Sequence, residues 1–214
     1  METLTINKSG TYYLNRPSNI IVKDNIRVTL YLLINDSSEN ILIDIGNNSE
    51  LIIKEYLLNS SLSKEINLKE NSKLNSYNAL LNKTNNEINI TTNNLASNSK
   101  VDMTYHFLNL KGELSLNIIN KYNDKLKNID TYQNSIIYNL GGTSNIKPII
   151  MPNSKNIKAE HSSFISNLPE EEIFMLMSRG IDRKEAEKLL IHSFLLNREN
   201  DQKVLDFIKE NYDV

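Results

Sequence analysis

The feature that most constrains the fold is an internal repeat between residues 48 and 109. Three copies each open on an Asn-Ser turn, run through a strand of similar length and close on another asparagine. The copies start at Asn48, Asn71 and Asn98, which are 23 and 27 residues apart. Repeats of this size imply stacked units, none of which can bury its apolar face alone. The chain must therefore stack its units along one axis.

The repeated units are strands and turns rather than helix pairs, because β-branched and aromatic residues recur in short runs between polar turns. The same pattern covers residues 1–46 and continues to about residue 151. A β-solenoid, most simply a β-helix, accounts for it. Antiparallel hairpins in a sandwich are the alternative, since the alternation in residues 87–91 suits a half-exposed sheet. From the residues alone, both remain open.

The spacing of apolar residues changes to a helical period near the C-terminus. Asn167 is predicted to cap a first helix that has Pro169 in its first turn. Gly180 is predicted to end this helix in a left-handed conformation, and Asp182 with Glu185 forms a capping box for a second helix. Two helices joined by so short a turn pack as a hairpin.

We therefore predict a mainly β chain with two parts. Residues 1–166 form a β-helix or β-solenoid core, and residues 167–214 form a small α-helical region. The end of the chain is predicted to be a last short helix, with Asp201 as its cap. A length of 214 residues is enough for one core, or for one core and a small satellite.

Composition excludes several classes of protein. The net charge of −2 creates no basic field for nucleic acid or for an anionic membrane surface. The absence of cysteine excludes a disulfide scaffold, a thiolate metal site and a cysteine nucleophile. No signal peptide pattern opens the chain, and no apolar run approaches the ~20 residues of a membrane span. We expect a soluble, cytoplasmic protein without nucleic-acid or membrane partners.

Three elements of the last third are informative in combination. They are Ala159-Glu160-His161, then Phe174-x-x-Met177-Ser178-Arg179-Gly180-Ile181, and then Glu185-Ala186 followed by Leu189-Leu190 and Phe194. Together they resemble the C-terminal signature of the SufB/SufD family, the scaffold proteins of the SUF iron–sulfur cluster assembly system. Thr131-x-Gln133 and Lys147-Pro148-x-Ile150 also match the family's pattern upstream of its histidine. The resemblance implies a β-helix core, which favours the solenoid over the sandwich.

The resemblance also implies that His161 lies at a subunit interface and acts in cluster assembly or metal coordination. Iron or an iron–sulfur cluster would be held there transiently, and Glu160 is a second candidate ligand. Neighbouring strand residues point to opposite faces, so His161 and Glu160 converge on one metal only with a bulge or a second subunit. The plain alternative is a histidine that forms a hydrogen bond at a dimer seam.

The chain departs from the SufB branch at two positions that matter for chemistry. That branch carries a cysteine thought to be essential for building the cluster, and this chain has none. Ser162 also stands where the branch tends to carry a second acidic residue. Both departures favour a SufD-like role, with sulfur chemistry left to a partner. A cluster held by this chain alone lacks the usual thiolates, so we expect no stably bound cofactor.

Two protein contacts follow from the resemblance. The β-helix is expected to pair with a SufB-like subunit or a second copy through residues near 129–163, which makes a dimer. The C-terminal helices are expected to dock a SufC-type ABC ATPase. Met, aromatic residues and Arg are enriched at protein contacts, and the candidate docking residues are Phe174, Met177, Arg179, Gly180 and Ile181. Alternatively, these residues only close the helix hairpin on the β core.

A different class of function is a β-solenoid that binds or cleaves glycans. Such a protein needs a stripe of exposed aromatic residues or carboxylates, and the candidates are Tyr12, Tyr13, Tyr56, Tyr77 and Tyr105. No nucleophile motif supports an enzyme. The main prediction is therefore a non-catalytic scaffold subunit in iron–sulfur cluster assembly, and the glycan reading is its alternative.

Overall fold

The computed structural model describes residues 3–15, 19–153 and 156–211, in which the strands form two parallel sheets. The fourteen strands are β1 (Thr3–Ile6), β2 (Gly10–Leu14), β3 (Asn19–Val22), β4 (Arg27–Asn35), β5 (Ser38–Ile45), β6 (Glu50–Leu58), β7 (Ser61–Leu68), β8 (Lys73–Asn82), β9 (Asn86–Asn94), β10 (Lys100–Asn109), β11 (Gly112–Tyr122), β12 (Lys127–Asn139), β13 (Gly142–Met151) and β14 (Asn156–Ser166).

Odd-numbered strands form one sheet and even-numbered strands form the other, each in the order of the chain. Each rung therefore contains one strand of each sheet, and every described strand pairing is parallel. Antiparallel hairpins would not give this topology. The predicted β-solenoid is confirmed, and the sandwich is excluded.

Repeating asparagines form one corner of the solenoid. Asn25, Asn48, Asn71, Asn98 and Asn128 all have positive φ, between 53° and 61°. Asparagine tolerates this left-handed conformation better than most residues with a side chain. The amides also stack: Nδ2 of Asn48 donates to Oδ1 of Asn25 at 3.2 Å, and Nδ2 of Asn71 donates to Oδ1 of Asn48 at 2.9 Å. The repeat seen in the sequence is thus a repeat of corners, and it includes two corners that the sequence analysis missed.

The interior begins as an aliphatic column, and buried polar side chains join the apolar ones further along the axis. Aligned Leu, Ile and Val side chains fill the first rungs. In the third and fourth rungs, Nζ of Lys64 lies 2.6 Å from Oε2 of Glu55, and both side chains are completely buried. Nζ of Lys64 also donates to Oδ1 of Asn78 at 3.3 Å. Sequence analysis did not predict this ion pair, because period-two alternation continues through it without a visible break.

Three helices follow the last strand: α1 (Glu170–Met177), α2 (Arg183–Leu196) and α3 (Gln202–Asn211). The prediction that Asn167 caps α1 is wrong. Pro169 occupies the cap position without a side-chain hydrogen bond, because the chain stays extended through Pro169 before it turns into the helix. The predicted cap of α2 is confirmed, since the Asp182 carboxylate accepts from the backbone N–H of Glu185 at 3.1 Å. Gly180 has the predicted left-handed conformation, with φ +88°.

The helices pack on the outer face of the even sheet. Buried side chains of the sheet and of all three helices share one cluster, which includes Tyr56, Leu108, Ile173, Ile191 and Val204. The helical region thus shares a core with the solenoid. None of the helices in the described ranges is both long and apolar enough to cross a bilayer.

Polar contacts at the edge of this cluster hold the end of α2 and the start of α3. The Tyr77 hydroxyl donates to the Leu195 carbonyl at 2.7 Å. The Glu199 carboxylate lies 2.6 Å from Nζ of Lys54. Burial alone would raise the pKa of Glu199, but hydrogen bonds from Lys54 and from two backbone N–H groups outweigh it and lower the pKa. The Tyr77 bond satisfies a carbonyl that the end of α2 leaves without an intrahelical partner, and the Glu199 contact fixes the link between α2 and α3 to the sheet.

His106 of β10 contacts the C-terminal end of α2. Its ring stacks on Phe194 with centroids 4.4 Å apart, and its Nδ1 lies 2.8 Å from the Phe194 carbonyl. Burial lowers the pKa of His106, and the hydrogen bond to Phe194 offsets part of the effect. As the pH falls, the His106 imidazole therefore becomes protonated at a higher pH in the unfolded chain than in the folded one. The stability that depends on neutral His106 is present above about pH 6.5 and is lost below it.

We expect the melting temperature of the wild type to fall between pH 7.5 and 5.5, and the fall to be smaller in His106→Phe, which keeps the aromatic stack. Circular dichroism melts at both pH values measure this. His161→Phe is the control for loss of an exposed imidazole. An equal fall in the wild type and in His106→Phe would show that other groups cause it.

Candidate functional site

The solenoid is open at the rung formed by β13 and β14, which we call the terminal rung. Among the strands that the structure describes, β13 has only β11 as a neighbour and β14 has only β12. Neither strand contains a buried residue, whereas β12 alternates between buried and exposed positions. Unpaired backbone groups along both free edges can form hydrogen bonds with a further strand.

His161 and Glu160 lie next to each other on β14 but face different sides of the sheet. In the β12–β14 register, His161 pairs with the buried Gln133, and Glu160 pairs with the exposed Tyr132. His161 therefore stands on the inner face of the terminal rung and Glu160 on its outer face. Oε1 of Glu160 lies 3.5 Å from Nζ of Lys158. Within the described residues, the two predicted ligands do not converge on one point.

A buried polar network lies beneath the inner face of the terminal rung. Nδ2 of Asn120 donates to Oε1 of Gln133 at 3.3 Å, and Nε2 of Gln133 donates to Oγ of Ser135 at 3.4 Å. Thr92 extends the network by donating to Oδ1 of Asn120 at 2.6 Å. Sequence analysis noted Gln133 only as part of a motif. Its position two residues from other inward-facing residues could have shown that it is buried.

The donor set around His161 does not make a complete metal site. Among the described residues, no group of three or more His, Cys, Asp or Glu side chains could hold a metal ion. The imidazole of His161 also has no hydrogen bond or ion pair within the described part of the chain. The network below offers amides and hydroxyls rather than thiolates or carboxylates, so the described residues do not complete an iron centre by themselves.

The five predicted docking residues separate into two groups. Phe174 is 72% exposed, and Met177 and Arg179 are also exposed. The Arg179 guanidinium has no ion pair or hydrogen bond to the residues that the structure describes. Ile181 instead packs against the buried helix cluster, and Gly180 forms the turn between the helices. Three of the five residues thus face solvent beside α1, Ile181 packs inward, and the exposed Gly180 shapes the turn.

Exposed large hydrophobic side chains concentrate in two places. The terminal-rung surface, as we call it, comprises the exposed large hydrophobic residues on and beside the terminal rung, which lie on more than one face of the two sheets: Tyr132, Leu140, Ile149, Met151, Phe164 and Ile165. The α1–α2 surface contains Phe174, Met175, Met177 and Leu189. In the described part of the chain, Leu95 is the one further exposed large hydrophobic residue. Concentrated apolar exposure of this kind is typical of protein contacts.

The five tyrosines considered for glycan binding do not form an exposed stripe. Tyr56 and Tyr105 are completely buried. Tyr77 donates to α2, and Tyr13 donates to Asp201 at the start of α3. The Tyr13 bond raises its pKa to about 12. These rings attach the helices or fill the core, so the glycan hypothesis has no support from them.

Fold and site together define a class of protein: a parallel β-solenoid domain with an open terminal rung and a helical hairpin on one sheet. Within this class, the chain belongs to the family described as SUF system FeS cluster assembly, SufBD core domain, which it matches over residues 5–194. The resemblance drawn from the last third of the sequence is thereby confirmed.

Similar proteins agree with this family. The chain is 27% identical to the iron–sulfur cluster assembly protein SufD of Plasmodium berghei (strain Anka) over 90% of its length. It is 27% identical to SufD of Plasmodium falciparum (isolate 3D7) over 97% of its length. It spans 15% of the length of each of these curated relatives. It is also 37% identical to protein ABCI7, chloroplastic, of Arabidopsis thaliana, over 28% of this chain and 13% of that protein.

Proposed function

We propose that this chain is a non-catalytic, SufD-like scaffold subunit in iron–sulfur cluster assembly. Its terminal-rung surface pairs with a second copy or with a SufB-like subunit, and its α1–α2 surface docks a SufC-type ABC ATPase. The observation that carries the proposal is the concentration of exposed apolar side chains in these two surfaces. Family membership and the two SufD relatives support the pathway.

The cluster, or iron on its way to a cluster, is cargo at the paired terminal rungs. His161 contributes one imidazole, and the partner contributes the remaining ligands and the sulfur. Glu160 lies on the opposite face of β14 from His161. It can therefore act as a ligand only in a set that also includes residues of a second chain. Cargo held by ligands shared between two chains is released when the chains separate, which suits transient binding.

At the docking surface, the cation of Arg179 lies beside exposed apolar side chains. Phe174 and Met177 supply apolar area. The Arg179 guanidinium, which has no ion pair among the described residues, can donate two hydrogen bonds to a carboxylate of the partner. Interface energies are dominated by a few such anchors. Loss of one anchor is therefore expected to cost at least 2 kcal/mol, roughly thirtyfold in affinity.

One set of variants tests both surfaces. Phe174→Asp is expected to lose a SufC-type ATPase in affinity capture and still pair in sedimentation, and Arg179→Glu is expected to behave in the same way. Phe164→Asp is expected to lose pairing and still capture the ATPase. Leu95→Asp, which alters an exposed residue outside both surfaces, is the control and should do both. Failure of the wild type to capture the ATPase, or equal behaviour of all variants, would contradict the proposal.

A further inference from the structure

Strand β14 and helix α1 are joined by only three residues, 167–169. Within this link, Leu168 is buried in the helix cluster, and Ile173 one turn into α1 is buried in the same cluster. The link therefore has little slack. A displacement of α1 away from the sheet must move the Ser166 end of β14 as well.

The two halves of β14 are held differently. Ile157 and Ala159, in the first half, pack on the small cluster of Tyr122, Leu126 and Ile129. From His161 onward, the inner-face residues His161, Ser163 and Ile165 are exposed. This second half is held mainly by its backbone ladder to β12. Segments with few buried apolar contacts open locally at low free-energy cost.

We propose that residues 161–166 form a strap that opens from its Ser166 end and that α1 controls this opening. Ile157 and Ala159 stop the opening, so the released segment includes His161. The opening uncovers Gln133 and Ser135, which are completely buried beneath the closed strap. A strand paired at the free edge of β14 would add a second ladder and hold the strap closed. Pairing and displacement of α1 thus act on the same six residues in opposite directions.

The coupling between α1 and the strap lies within this chain and does not require a bound partner. Its use by an ATPase bound to α1 rests on the proposed function. An experiment on the isolated full chain therefore tests the coupling separately from ATPase docking. If the chain failed to capture an ATPase, the result of this experiment would be the same.

Native-state amide hydrogen exchange of the full chain, resolved by fragment, is the test. Ile173→Ala on α1 is expected to raise exchange of residues 161–166 about tenfold relative to residues 131–137. Ile208→Ala on α3 removes the same atoms from an equally buried site in the same helix cluster and is the matched control. It should leave that ratio unchanged. Equal ratios in the two variants, or strap exchange as slow as that of β12 in the wild type, would overturn the proposal.

A cross-link supplies a second measurement. Asn134 and Ser162 are register partners on β12 and β14, and the chain has no other cysteine that could react. N134C/S162C bridged by a short bis-maleimide should confine the effect of Ile173→Ala to residues 163–166, beyond the bridge. T104C/N134C, which bridges β10 to β12 at the register position next to it, should preserve the effect. Equal results from the two bridges would contradict opening between β12 and β14.

Discussion

Lys64→Met is expected to lower the free energy of unfolding by about 3–5 kcal/mol. The substitution leaves the Glu55 carboxylate charged, buried and without the ammonium group that lies 2.6 Å away. Oε1 of Glu55 has no hydrogen-bond partner among the described residues, so little compensates for the loss. Denaturant unfolding followed by circular dichroism measures the change.

Two further variants show whether the cost comes from a stranded charge or from lost packing. Glu55→Leu combined with Lys64→Met removes both charges and should recover most of the stability, because a buried ion pair often contributes little net. Lys158→Met breaks the exposed contact with Glu160 and should leave unfolding nearly unchanged. A double variant as unstable as Lys64→Met would point to the shape of the lysine rather than its charge.

Gly142→Ala is expected to cost about 3 kcal/mol, the upper part of the usual range for overpacking. A Cβ at this position would overlap the carbonyl oxygen of Gly112 and lie 2.7 Å from Nδ2 of Asn109. Because one of these atoms belongs to the backbone, the start of β13 must move away from β11. The terminal rung should loosen together with the loss of stability, which thermal melts and hydrogen exchange of β13 both report.

Gly180→Ala is the comparison that distinguishes a steric clash between strands from backbone strain as the cause of destabilisation. Gly180 has φ +88° but no atom within 4 Å of an added Cβ. Its substitution should therefore cost only the strain of a left-handed alanine, about 1 kcal/mol. If Gly180→Ala were the more destabilising of the two, conformational strain rather than contact between strands would set the requirement for glycine.

The elements of this protein could be predicted from its sequence because their causes are local. Asparagines at 23- and 27-residue spacing mark corners that need a left-handed residue, and the runs between them alternate with the period of a strand. Gly180 and Asp182 likewise act within one helical turn. Even the opposite directions of Glu160 and His161 follow from strand geometry alone. The cap of α1 was misplaced because both Asn167 and Pro169 suit a helix start, and packing at Leu168 is not visible in a local pattern.

The contacts that give the site its character depended on the tertiary structure. Gln133 and His161 are 28 positions apart in the sequence but are register partners in the sheet. The number of residues in the intervening strands and turns decides this pairing, and no local preference determines that number. The same is true of the ion pair between Lys64 and Glu55 and of His106 beneath the end of α2. Local chemistry thus determined the rungs, their corners and the helix ends. The register between rungs, a sum over every turn and strand length, decided which side chains meet.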